Sequence, residues 1–310
     1  EMIGRSDILK VVDDKFAQKF DFTSVLHQES GVNTHQQEFN YPFDDNAFEK
    51  DVLKEAISTI KHPEHPVRIS REITNVNRSF GALISGEIAE YYGDKGLAPD
   101  TVRINLSGIS GQALGAFLIP GVSIYLKGVA NDYIGKGMHG GKVIITSENE
   151  GEEFAAGGNT CLYGATGGKL YISGSVGERF AVRNSGALAI VEGTGDNACE
   201  YMTGGVVVIL GKTGINFGAG MTGGISFVYD EEHKFIENIN RELVESVRID
   251  TDEGDEARHY LKKLLKDYVV ETGSKKAKDL LDNYRVEVRN FWLVKPKNLT
   301  KLPMNLEIGD

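Results

Sequence analysis

Apolar and polar positions divide this chain into three regions with different periods. Over 44–61, DDNAFEKDVLKEAISTIK, an Asp/Asn start leads into Phe48, Val52, Leu53, Ala56, Ile57 and Ile60 at helical spacing, which predicts an amphipathic helix. VRISREI (67–73) alternates and predicts a strand. RSFGALISGEIAEYYG (78–93) sets Leu83, Ile84, Ile88 and Tyr92 along one helical face, with Ser79 as N-cap and Gly93 as stop. Near the other end, DEARHYLKKLLKDYVVETG (255–273) places Ala257, Leu261, Leu264, Leu265 and Tyr268 at helical spacing and closes at Gly273. SKKAKDLLDNY (274–284) opens a second helix at once, so the pair predicts a helical hairpin. VEVRNFWLVK (286–295) predicts a strand that holds the only tryptophan, Trp292.

Between 101 and 230 the period changes. Aligned on Thr101, Gly121, Gly140, Gly167, Gly186, Gly204 and Gly223, the segments repeat at spacings of 20, 19, 27, 19, 18 and 19 residues. The long interval carries a polar insertion, SENEGEE (147–153). Three positions after each turn stand Ile104, Ile124, Val143, Leu170, Ala189, Val207 and Ser226. Five after stand Leu106, Leu126, Ile145, Ile172, Val191, Ile209 and Val228. Positions two apart share one face of a strand. Seven after, Gly108, Gly128, Gly174, Gly193 and Gly211 mark a second turn, and six before stands the apolar set Ile134, Cys161, Phe180, Ala198 and Phe217.

A unit of this size cannot bury its apolar face alone, and stacked units build a continuous core. The expected fold is mainly β: a single-stranded β-helix, or β-solenoid, of about seven coils with flanking helical segments. The expected organisation is a mixed helical connecting region (1–100), the glycine-rich β-helix (101–230), and a C-terminal helical hairpin and tail (231–310). The expected coil corners are Gly108, Gly121, Gly140, Gly141, Gly167, Gly168, Gly186, Gly204, Gly205, Gly223 and Gly224.

One stretch invites a different reading. GKGMHGG (135–141) has the G-x-G-x-x-G spacing of a dinucleotide loop, with Lys136 inside it. Such a loop must open a helix, so that the helix N-terminus meets the pyrophosphate. Here KVIITS follows, and the echo GAGMTGG (218–224) is followed by ISFVYD. Both continuations are strand-like, which favours a coil corner.

Composition narrows the function classes. The 37 glycines are about twice the usual share, while seven prolines exclude a disordered Gly/Pro chain. Net charge is 34 − 45 = −11, which disfavours nucleic acid and anionic membrane as partners. No run approaches a transmembrane length and EMIGRSDILK is no signal peptide, so a cytoplasmic location is expected. The chain opens on Glu1, which suggests a piece of something longer. Cys161 and Cys199 form no metal or redox spacing and read as small core residues. His139 stands at a corner where other coils carry Thr166, Ser185, Thr203 and Thr222, and His62 and His65 flank Pro63 in a loop; neither arrangement suits zinc. Glu178, Arg179, Arg183, Glu192 and Glu200 fall on adjacent coils and are expected to form an ion-pair ladder or an interface, with 147–156 and 178–183 the first places to seek one. The enzymatic alternative is a carboxylate pair acting on carbohydrate.

The residues also carry a family resemblance. ANDYIGKGM (130–138), GNTCLYGATGG (158–168), GERFAVRNSGA (177–187), DNACEYMTGG (196–205) and LGKTGINFGAGMTGG (210–224) closely resemble the C-terminal glycine-repeat (GXGXG) domain of the glutamate synthase large (alpha) subunit. IGRSDIL, RSFGALISGEIA (78–89) and LVKPK (293–297) extend the likeness over nearly the whole chain. One of the components of formylmethanofuran dehydrogenase resembles the repeat more distantly. The resemblance implies a right-handed β-helix. It also implies a parent enzyme that makes glutamate from glutamine and 2-oxoglutarate using FMN and a 3Fe-4S cluster. Neither cofactor is expected in this chain, which lacks an N-terminal nucleophilic cysteine and a three-cysteine cluster. No catalytic, cofactor-binding or metal-binding residue carries over. The implied partners are the amidotransferase and FMN-binding domains of the same large chain. The small NADPH/FAD subunit is one further candidate.

Overall fold

The computed structural model describes residues 47–147, 154–251, 254–299 and 302–304. The first residues of the predicted 44–61 helix and nearly all of the SENEGEE insertion lie outside that set. Eight strands pair in chain order, each parallel to the last: β1 (Val67–Ile73), β2 (Val102–Ser110), β3 (Val122–Ala130), β4 (Lys142–Thr146), β5 (Lys169–Ser175), β6 (Ser185–Gly193), β7 (Thr203–Ile209) and β8 (Gly223–Tyr229). The chain is a β-solenoid. Seven repeat strands, β2 to β8, enclose six turns between them, one fewer than the number of repeats suggests.

The register explains why the repeat forms this structure. Ile104 pairs with Ile124, Ile124 with Val143, Val143 with Leu170, Leu170 with Ala189, Ala189 with Val207, and Val207 with Ser226. The column from Leu106 to Val228 stacks in the same way, with Arg71 of β1 opposite Leu106. A slip of one residue would turn both columns out of the core. Both line one interior cluster that also takes in Ile134, Cys161, Phe180, Ala198 and Phe217 from the opposite wall. Each fully buried Val, Leu or Ile adds about 1.5–3 kcal/mol over exposure, so the filled interior dominates the fold's stability.

Two helices cover the β1 end: α1 (Ala47–Lys61) and α2 (Ala82–Tyr92). Val52, Ala56, Ile60, Ile84 and Ile88 join the interior cluster. Ser79 is not the cap of α2. It lies at φ 52, and the helix begins at Ala82. The carboxylate of Glu49 on α1 supplies the cap instead: its Oε1 accepts from the backbone N–H groups of Gly81, Leu83 and Ile84 at 2.9, 2.9 and 3.1 Å. Gly93 closes the helix as expected, with φ 59 and its N–H on the carbonyl of Ala89.

After β8 come the short helix α3 (Phe235–Asn238), β9 (Val244–Arg248), the helices α4 (Asp255–Thr272), α5 (Lys275–Asp282) and α6 (Tyr284–Glu287), and β10 (Phe291–Pro296). The predicted hairpin is α4–α5, turned by Gly273 at φ 71 and capped by Ser274, whose Oγ accepts from Ala277 N–H. The predicted strand 286–295 begins as helix and becomes strand only at Phe291. β10 runs antiparallel to both β8 and β9.

The outer sheet face is apolar from β4 onward. Ile144, Tyr171, Ile190, Val208 and Phe227 form one column, and with Leu261, Leu264, Leu265 and Tyr268 of α4 they make a second core. Polar contacts clamp α4 to the sheet. Lys169 and the Tyr171 hydroxyl meet the Asp267 carboxylate at 2.7 and 2.6 Å, and Lys142 meets Glu271 at 2.9 Å.

Candidate functional site

The wall opposite the sheet has an unusual backbone. In each turn three alternate residues take a left-handed conformation: Ala113, Gly115 and Phe117; Tyr133, Gly135 and Gly137; Thr160, Leu162 and Gly164; Arg179, Ala181 and Arg183; Asn197, Cys199 and Tyr201; Asn216, Gly218 and Gly220. Their φ values run from 53 to 72. The G-x-G spacing marks these positions, although most of them are not glycine. Hydrogen bonding holds them there. The central residue donates to the preceding turn, as Gly135 to Leu114 O (2.8 Å), Leu162 to Ile134 O (2.7 Å) and Cys199 to Phe180 O (2.7 Å). The outer two donate to the following turn, as Tyr133 to Asn159 O (2.8 Å) and Arg183 to Glu200 O (2.9 Å). The first five segments are thereby tied in both directions and the sixth is tied back through Gly218 to Ala198 O, which offsets a left-handed penalty of about 1 kcal/mol or more per non-glycine residue.

GKGMHGG belongs to this architecture. Gly135 and Gly137 lie on the left-handed wall, while Gly140 and Gly141 form the corner that enters β4. A Cβ on Gly140 would lie 2.4 Å from the Pro120 ring, and one on Gly141 would lie 2.4 Å from Val122 O. At both positions the adjacent turn stands where a side chain would begin. At Gly167, Gly186, Gly204 and Gly223 the obstacle is a carbonyl of the turn below, 2.0 to 2.3 Å from the ideal Cβ. Gly121 is backed by Leu97, Gly108 by Ile73 O, Gly168 by Gly140 O, Gly205 by Ala187 O and Gly224 by the Met202 methyl and Gly204.

The chemistry-bearing side chains do not converge. Cys161 and Cys199 are fully buried in the interior cluster, and burial pushes both thiols up to about 12. Cys199 Sγ faces Ser226 Oγ at 3.4 Å. Buried singly, with such thiols, they do not fit a cluster held by three thiolates. Among the described residues no group of three or more His, Cys, Asp or Glu side chains could hold a metal ion. His139 Nδ1 meets Thr166 Oγ1 of the next turn at 3.0 Å, a corner contact.

The expected charged ladder is split. Arg179 and Glu200 pair across two turns at 3.7 Å. Glu192 is instead buried on the outer sheet face, where it accepts from the hydroxyls of Ser274 (2.5 Å) and Tyr268 (3.2 Å). It anchors the α4–α5 turn. The repeat alignment does not reveal this outer layer. Its signal is nevertheless present in the chain: from β4 onward the strands are continuous apolar runs such as VVVIL, the pattern of a sheet covered on both faces.

Comparison with known proteins agrees with this geometry. The family model described as the GXGXG motif matches residues 46–297. The chain is 41% identical over 322 residues to the glutamate synthase (NADPH) large chain of Bacillus subtilis (strain 168), covering 99% of this chain and 20% of that relative. It is 42% identical over 307 residues to the glutamate synthase (NADH) of Schizosaccharomyces pombe, covering 96% and 14%. It is 41% identical over 316 residues to the chloroplastic ferredoxin-dependent glutamate synthase of Spinacia oleracea, covering 98% and 19%. The chain therefore spans a fifth or less of the length of these relatives. No helix among the described residues is long and apolar enough to cross a membrane. A stacked left-handed wall, glycine corners and similarity along nearly its whole length place the chain in the GXGXG-motif family.

Proposed function

We propose that the chain is the β-solenoid domain of a glutamate synthase and works there as a rigid spacer. In this reading it holds an amidotransferase part and an FMN-binding part in register, and those parts make glutamate from glutamine and 2-oxoglutarate. The flavin and the iron–sulfur cluster reside outside the solenoid, and the solenoid catalyses no step. The observation that carries the reading is the identity of 41% across 99% of this chain, matched to only 20% of a much longer relative. A second supports it. Relatives named for NADPH, NADH and ferredoxin match at 41%, 42% and 41%, so the domain's role is independent of the electron donor. A rigid element also suits an interior filled with apolar side chains from the β1 end to the β10 end.

The test is direct. The purified chain should show no flavin absorbance and no glutamine hydrolysis, and should form a stoichiometric complex with the remaining portion of the large chain. Glutamine turnover, or flavin copurifying with the chain alone, would refute the spacer role.

A further inference from the structure

We propose that one edge of the left-handed wall, carrying Phe117, Tyr163, Arg183 and Tyr201, is the surface on which another part of a glutamate synthase large chain docks. This rests on the reading above and adds the contact surface to it. The neighbouring turns show which residue the backbone favours at this edge. Gly137, Gly164 and Gly220 occupy the third left-handed position of their segments, at φ 62, 64 and 67. Phe117 and Tyr201 occupy the equivalent position at φ 55 and 53, where L side chains are rarely found.

These two rings do not enter the core. Phe117 is 59% exposed and Tyr201 54% exposed. Each leans on the glycine of the next turn: a Cβ on Gly137 would lie 2.8 Å from Phe117 Cε1, and one on Gly220 would lie 2.4 Å from Tyr201 Cδ1. The rest of each ring is left to solvent. The bonds between turns hold this backbone whatever the side chain, so the fold needs no aromatic ring here, and a large ring left outside at such a position points to recognition.

The rest of the edge agrees. Tyr163 is 36% exposed beside Gly164. Arg183 is exposed in the third position of its own segment, and its guanidinium has no carboxylate partner among the described residues. Aromatic residues and arginine are the types enriched where protein interfaces bury their centres. The occupant is the remainder of the large chain, because the similarity leaves 80% of the Bacillus subtilis relative outside this chain. Its docking face should present apolar side chains to Phe117 and Tyr201, and a carboxylate to Arg183.

The experiment compares the full chain with the double variant F117G/Y201G and with R183E. Two quantities are measured: the thermal midpoint, and the affinity for the remaining portion of the large chain supplied as a second polypeptide. The expected result is an unchanged or raised midpoint for F117G/Y201G, with affinity lowered by about tenfold or more, the loss typical of central aromatic contacts. R183E, at an exposed position, should fold normally and also bind more weakly. A midpoint lowered by several degrees with affinity retained would assign the rings to the fold and overturn the proposal. Equal binding by all three proteins would overturn the surface and leave the spacer reading standing. No binding by the unmodified chain would remove both. Self-association of the unmodified chain that F117G/Y201G abolishes would make a second copy the occupant, against this proposal.

Discussion

Gly164 and Gly141 share a left-handed backbone, at φ 64 and 67, but differ in their surroundings. Nothing lies within 4 Å of a Cβ added to Gly164, whereas Val122 O and Ile119 O would lie 2.4 and 2.7 Å from one on Gly141. Gly164→Ala should therefore lower stability by only about 1 kcal/mol, the conformational penalty alone. Gly141→Val should cost about 3 kcal/mol or more, since the obstacles are backbone atoms of the turn below. Urea unfolding of the two variants tests the contrast, and equal losses would show that conformation matters more than crowding at the corner. The thiols give a second expectation at this scale. With both raised to about 12 by burial, Cys161 and Cys199 should resist a disulfide reagent at neutral pH until the chain unfolds. At the residue scale the corners were legible because only glycine fits against a carbonyl. The left-handed positions of Leu162, Ala181 and Cys199 were not, because hydrogen bonds between turns impose them and the side chains do not signal them.

At the scale of elements, two devices hold helices to the solenoid. The first is the Glu49 cap on α2. Burial raises the Glu49 carboxyl above 4.5, against three backbone N–H bonds that pull it down. A raised acid stabilises the fold most when protonated, so its contribution is full below pH 4.5 and is lost as pH climbs through the folded value. Glu49→Gln keeps an acceptor without the buried charge, and should match or exceed the parent at pH 7. Glu49→Ala orphans the three N–H groups and should lose about 1–3 kcal/mol. Thermal melts from pH 4 to 8 distinguish these outcomes. The second device is the clamp under α4. Burial opposes the charge on Lys142, yet Glu271 and Tyr125 hold its ammonium above 10.5, while burial and Asp267 keep the Tyr171 phenol protonated well above 10. Both contributions are present below pH 10 and fade as pH rises beyond it. α4 should therefore loosen from the sheet in alkali, an effect that Tyr171→Phe reduces; helical circular dichroism against pH would show it. The helices themselves could be read from their periodicity. The Glu49 cap could not, since it reaches across 32 residues to Gly81.

From β1 to β9 the described residues form a stack in which each inner turn touches two neighbours and each end turn only one. Stability in such a stack is close to a sum of neighbour terms. Amide exchange should accordingly be slowest in β4 to β7 and faster in β1 and β9; uniform protection from end to end would contradict this. The stack could be foretold from the spacing of its columns, because register is fixed by which face is buried. The α4–α5 layer could not be placed from the repeat, because it comes from outside it. The way the stack ends matters for more than stability. A purely parallel series of coils presents, after its last strand, an edge that any further coil can extend, including the first coil of another molecule. β10 closes that edge while running in the opposite direction, and β9 follows it antiparallel. The outermost strand, β9, runs parallel to β8 again, but among the described residues no left-handed segment of three follows Gly220, so a new coil would find the sheet wall without the wall opposite it. Without β10 and β9, the same periodicity that builds the domain would become a template for end-to-end polymerisation. Ending the left-handed wall before the sheet ends keeps a repeating structure finite.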